Sequence, residues 1–160
     1  MIAEWYRTRG YHFLALSDHN VLSEGVRWMK HKDIVARAGA SFGPRVLPKY
    51  LDRFGSHWVQ TRGEPDSDDH EVRLKPLHEF RALVEERGRF IMMTGEEITD
   101  SVNGIPVHLN VTNLKHLIPP LGGSNVREAM AANLRAAEEQ AKKTGREIVV
   151  HLNHPNFRYG

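Results

Sequence analysis

The sequence predicts an α/β fold of parallel strands with flanking helices, and three observations lead there. Short apolar runs without polar alternation recur at residues 13–16, 90–93 and 148–150, the pattern of strands covered on both faces. Segments of helical period separate these runs, which is the order of βαβ units. Ligand-type polar residues gather where the runs stop, at Asp18-His19-Asn20, Glu96-Glu97 and His154-Pro155, and parallel α/β folds bind ligands at the carboxyl ends of their strands.

Taken in order, Ile2, Trp5 and Tyr6 share one face of a short helix that Gly10 closes. His12 to Ser17 is the first buried strand, and the segment from Leu22 to Lys30 is expected to be helical. Residues 39–75 carry Gly39, Gly43, Pro44, Pro48, Gly55, Gly63 and Pro65, so an irregular insertion is predicted there, broken by a short helix over Val46 to Phe54. Pro76 suits the first turn of a helix whose buried stripe is Leu77, Phe80 and Val84. Phe90 to Met93 forms the second strand. Between Ile105 and Thr112, Val107, Leu109 and Val111 alternate with His108 and Asn110. Ser124 to Thr144 reads as the longest helix, with Val126, Met130, Leu134, Ala137 and Ala141 along its stripe; Lys142 and Lys143 lie near its C-terminus, and Gly145 ends it. Ile148 to Val150 is the last strand.

The 160 residues are 40% hydrophobic and 26% charged, as expected for an ordinary globular chain, and there is no cysteine. Disulfides and thiolate metal sites are thereby excluded. No apolar run approaches the ~20 residues of a membrane span. A net charge of +2 gives no reason to expect a nucleic-acid partner. Residues 1–63 hold ten Lys/Arg against five Asp/Glu, a bias that can steer an anionic small molecule. Ten histidines stand out more, since imidazole is the commonest metal ligand.

Each polar cluster has an ordinary structural explanation. Asp-His after a strand caps many helices, paired glutamates often line a solvated edge, and His108 or His154 can serve simply to finish a strand. Their coincidence at successive strand ends points instead to a shared site for a divalent transition metal such as zinc, manganese or iron.

The segments themselves carry a resemblance. Tyr11 to Asn20, YHFLALSDHN, resembles the "Gly-Tyr-Asp-Phe-Leu-Ala-Leu-Thr-Asp-His-Asn" segment of the PHP (polymerase and histidinol phosphatase) superfamily. Thr94 to Thr99, TGEEIT, is similar to its Gly-x-Glu motif and aligns Glu97, rather than Glu96, with the metal-bridging carboxylate. PVHLN around His108 and VVHLNHPN from Val149 are similar to its later histidine segments, the second placing His154 as ligand. The resemblance implies a single PHP-type domain, part of a distorted (β/α)7 barrel, incomplete at both ends because the family's opening His-x-His and closing Asp-x-His fall outside these residues. It also implies a metal-dependent hydrolase of the histidinol phosphatase-like or carbaryl hydrolase-like group, acting on an anionic ester, most simply a phosphoester, through a metal-bound hydroxide at a multinuclear site. His19, Glu97, His108 and His154 are then the metal ligands. Asp18 and Glu97 are the catalytic residues, Asp18 orienting His19 or a metal-bound water. His12 stands where the family has Asp. Two other classes remain open: a non-catalytic metal-binding module with a degenerate site, and a nucleic-acid binder using the basic first segment.

Overall fold

A computed structural model describes residues 2–155. The elements run α1 (Ile2–Thr8), β1 (Phe13–Leu16), β2 (Arg27–Lys30), α2 (His31–Ala38), a 3-10 turn (Gly43–Arg45), α3 (Val46–Phe54), β3 (Thr61–Arg62), β4 (Glu71–Leu74), α4 (Leu77–Val84), β5 (Ile91–Val102), β6 (Ile105–Thr112), α5 (Val126–Thr144) and β7 (Val149–Leu152). The chain is a mixed α/β protein of two compact units, one built from the segments up to Glu24 and from Leu77 onward, the other from Gly25–Pro76. Among the described residues the strands form two separate sheets and no closed barrel. No helix of these residues is long and apolar enough to cross a membrane.

The first unit holds a four-stranded sheet in the order β1-β5-β6-β7. Only β1 and β5 run parallel; β5 with β6, and β6 with β7, are antiparallel, which corrects the expectation of parallel pairing throughout. The cause is local. Asn103 and Gly104 have φ of 51° and 78°, the left-handed pair that a tight two-residue hairpin needs. Their turn folds β6 straight back along β5, with Val102 opposite Ile105 and Glu97 opposite Asn110. An Asn-Gly step between two apolar-alternating runs was the available signal.

Alternation along β5 then sorts its residues. Met92 and Ile98 go to the helix side, where they are 1% and 0% exposed. Ile98 joins Leu22, Leu109, Val111, Leu114, Ile118 and Ala137 in one cluster, and Met92 joins Ala3, Leu77, Val84 and Phe90 in another, beneath α1 and α4. Arg81 and Glu85 tie α4 to β5: Met92 N–H donates to Glu85 Oε1 (2.9 Å) and Arg81 Nη2 to Met92 O (2.8 Å). Helix α5 starts with a reciprocal cap. Asn125 Oδ1 accepts from Glu128 N–H (3.0 Å), and Glu128 Oε2 accepts from Ser124 N–H (3.1 Å). Its buried positions are Ala129, Asn133 and Ala137, so of the expected stripe only Ala137 is fully covered.

The second unit replaces two sequence expectations. The helix expected over Leu22 to Lys30 is instead a lead-in to strand β2, followed by α2. Residues 39–75 are more regular than expected: besides α3, which was expected, they supply β3 and β4, and the sheet order is β2-β4-β3, all antiparallel. Leu47, Val59 and Val72 form its core, with Ile34, Tyr50, Leu51, Phe54 and Trp58 packed against them. Pairing between Arg27–Lys30 and Glu71–Leu74 spans some forty residues, and a local periodicity cannot register it. Two of the glycines there, Gly43 and Gly63, are required by close packing. A Cβ on Gly63, whose φ is +77°, would lie 2.1 Å from Asp69 O.

Candidate metal centre

The site lies within the first unit, on the sheet face opposite the hydrophobic clusters. Backbone pairing continues past β1, where His19 makes an isolated parallel bridge with Glu97. Glu97 N–H donates to Asp18 O (3.0 Å) and Asn20 N–H to Glu97 O (2.9 Å). Asn20 locks this junction with its side chain, donating Nδ2–H to Thr99 O (3.0 Å) and accepting from Thr99 N–H (2.8 Å). On the other flank, Asn153 N–H donates to His108 O (2.9 Å), carrying β7 toward His154.

The side chains converge on Glu97. His108 Nδ1 is 2.9 Å from Glu97 Oε1, His154 Nε2 is 3.4 Å from the same oxygen, and His19 Nδ1 is 3.8 Å from Oε2. His108 Nδ1 and His154 Nε2 are 3.1 Å apart. Asn153 Nδ2 donates to Glu97 Oε1 (3.0 Å), which fixes the carboxylate. His19, Glu97 and His108 each offer one ligand atom, all within 4.8 Å of one another. Ligands around a tetrahedral ion with bonds of about 2.0–2.1 Å stand about 3.3 Å apart, so the donor set fits a divalent metal in spacing as well as in chemistry. His154 touches two members of this group.

Access is one-sided. The Glu97 and His108 side chains are 10% and 12% exposed, whereas His19 is 63% exposed, so a ligand arriving from solvent meets the His19 side first. Thr99 Oγ1 lies 2.5 Å from His19 Nδ1; a partner held on that nitrogen leaves Nε2 as the ring nitrogen for a metal, since an outer contact orients an imidazole through the nitrogen that does not ligate. Two hollows open in this unit, and only the first is lined by members of the cluster. One, of about 300 Å³, is lined by His108, Asn153 and His154 together with Val126 and Met130. The other, of about 740 Å³, is lined by Ser17, Asn110 and His151 and extends to Tyr11 and Phe13.

The remaining sequence candidates separate cleanly. Asp18 is exposed and meets Glu97 through its backbone oxygen. His151 turns to Asn110, Nε2 to Nδ2 at 3.3 Å, rather than to Glu97. Glu96 is wholly buried on the helix side, where Oε2 accepts from Ile118 N–H (3.0 Å) and Oε1 has no partner. Burial pushes its carboxyl above the ordinary range, opposed only by the Ile118 hydrogen bond. From the sequence, Thr99, Asn20 and Asn153 carried no role of their own. An Asn one residue after His19 and one before His154 was visible, but its use depends on strand register.

Glu96→Gln is therefore expected to leave folding intact or to stabilise it by about 1 kcal/mol at neutral pH, because an amide keeps the Ile118 hydrogen bond and removes a charge from an apolar site. Urea unfolding of the two proteins checks this; a large loss would show that the buried charge has a partner it needs.

The chain matches no protein-family model, no curated protein and no solved structure.

Proposed function

We propose that this chain is part of a PHP-type metal-dependent hydrolase whose substrate is an anionic ester, most simply a phosphoester. The observation that carries the reading is the convergence of His19 and His108 on the carboxylate of Glu97, within one ligand sphere, together with the resemblance of the segments around these residues. The finer fold assignment, a portion of a distorted (β/α)7 barrel, is part of the same proposal.

A divalent ion held by His19, Glu97 and His108, with His154 beside them, supplies an acidified water and a Lewis acid for the ester oxygen. The protein's own residues do the rest. Glu97 contributes the negative charge that retains the ion, and Asn153 and His108 hold that carboxylate in place. Thr99 orients His19. Asp18, next to His19 and exposed, is assigned to the orientation of His19 or of the attacking water from outside the ligand sphere. The open His19 side leaves room for substrate, and the hollow lined by His108, Asn153 and His154 accommodates the part of it not being cleaved.

The test is turnover of p-nitrophenyl phosphate and its bis ester with manganese or zinc. The resemblance places two further ligand motifs outside these residues, so the 160-residue chain is expected to bind metal weakly and turn over little. A chain extended at both ends to include those motifs is expected to hydrolyse one of the two esters, with activity lost to a chelator and regained with metal. Metal binding without turnover in the extended chain would favour the second reading, a metal-binding module without catalysis. Absence of metal binding in both would remove the reading altogether.

A further inference from the structure

The second unit contains a pair of histidines that neither its fold nor the site on Glu97 explains. Strand β2 pairs with β4 so that Met29 faces Val72 and Lys30 faces Glu71. The ladder continues one step further, because His31 N–H donates to His70 O at 2.8 Å. His31 and His70 are thus directly opposite one another, on the same side of the sheet as Met29 and Val72, and Val72 belongs to the core of this unit. Their rings meet edge to face, with centroids 5.0 Å apart and planes at 63°. His70 is 7% exposed. His31 Nε2 and His70 Nδ1 are both shielded from solvent, and neither has a hydrogen-bond partner.

Two orphaned ring nitrogens on a pair of touching imidazoles are unusual, since buried polar atoms are nearly always satisfied and each unsatisfied one costs about 1–3 kcal/mol. Packing alone would be served better by an apolar side chain. Imidazoles opposite each other on neighbouring antiparallel strands are, however, within reach of one bound ion, because Cβ atoms of such pairs lie about 4.5–5.5 Å apart. Bonds of about 2.0–2.1 Å at a tetrahedral angle bring the two ring centres to about 5 Å, the separation found here.

We propose that His31 and His70 form a second metal site, a cross-strand chelate for a divalent transition ion of the imidazole-preferring kind, zinc, nickel or copper. Water completes the coordination shell, admitted by local opening of this small sheet, which makes the site weaker than one with three protein ligands. The ion clamps the start of α2 to the start of β4. It therefore acts on the stability of the second unit, independently of what the Glu97 cluster does.

The experiment uses the whole chain carrying Glu97→Gln and His108→Ala, which disables the first cluster. Zinc added to this protein with ¹⁵N-labelled histidine is expected to shift the signals of His31 Nε2 and His70 Nδ1 together, at one equivalent. Copper(II) is expected to show coupling to two ligand nitrogens by electron paramagnetic resonance. In the same background, His31→Gln and His70→Gln, taken singly, are each expected to weaken binding at least tenfold. Because either substitution can disturb the small sheet, the labelled-histidine titration of the otherwise unaltered pair decides independently. Zinc that leaves those two nitrogens unmoved, or that perturbs only other histidines, overturns the proposal and leaves a trapped water as their partner.

Discussion

Glu97→Gln is expected to weaken binding of zinc or manganese by at least tenfold and to abolish metal-dependent ester hydrolysis in the extended chain. The side chain is isosteric, and its oxygen can still accept from Asn153, so the sheet junction with Asp18 and Asn20 is undisturbed. What disappears is the only negative charge among His19, His108 and His154 at the centre of the cluster. A neutral amide is a poor ligand for a divalent ion that imidazoles alone must then hold. Calorimetric titration measures the affinity, and thermal unfolding without metal, changed by no more than about 1 kcal/mol, shows that the fold survives. Full hydrolytic activity in the extended Glu97→Gln chain would remove the assignment of this carboxylate.

The second large effect concerns stability. Asp100 sits on the helix side of β5, 8% exposed. Oδ2 accepts from Gly122 N–H (2.9 Å) and Asn133 Nδ2 (2.9 Å), and Oδ1 from Ser101 N–H (2.8 Å). It thereby ties the loop before α5, and α5 itself, to the strand that carries Glu97. Burial pushes this carboxyl up, but the hydrogen bonds from Asn133, Gly122 and Ser101 outweigh burial and hold it below the ordinary carboxylate range. Asp100→Ala strands these donors, one of them the 1% exposed Asn133, and is expected to cost about 3 kcal/mol, enough to lower the melting temperature by about 6–12 °C in a chain of this size. Linkage sets the pH dependence. Since the folded pKa is depressed, the native state binds fewer protons than the unfolded one; the stabilisation is complete above the unfolded value of about 3.9 and is lost as pH falls through the folded value. Urea titrations at neutral pH and near pH 3 should therefore show the gap between wild type and Asp100→Ala narrowing in acid. A gap of constant width would mean that the charge on Asp100 contributes nothing.

Much of this architecture was written in local residue patterns. The helices α1, α3, α4 and α5 follow from apolar spacing and from end signals such as Asn125 and Gly145, whose effects reach only a few residues along the chain. The candidate ligands were legible as residue types beside apolar runs. Other features depended on contacts between distant segments. Whether Glu96 or Glu97 enters the cluster is a matter of strand parity: neighbouring side chains point to opposite faces, and the face is set by what β5 packs against. The same register directs His151 to Asn110 and leaves His154 to meet His108. Antiparallel pairing of β5 with β6 was announced by Asn103-Gly104, that of β6 with β7 was not, and the glutamates were read as the end of a strand when they lie in its middle. The small sheet of Gly25–Pro76 was invisible locally, because β2 finds β4 only once the intervening segment folds. By itself, then, the sequence determined the helices and the set of candidate ligands, which are short-range properties. Tertiary structure brings together the four ligands that the segment resemblance had already singled out, and it alone decided that His151 turns to Asn110 and that Asn20 and Asn153 brace the cluster, because register and facing are determined by long-range strand pairing and burial.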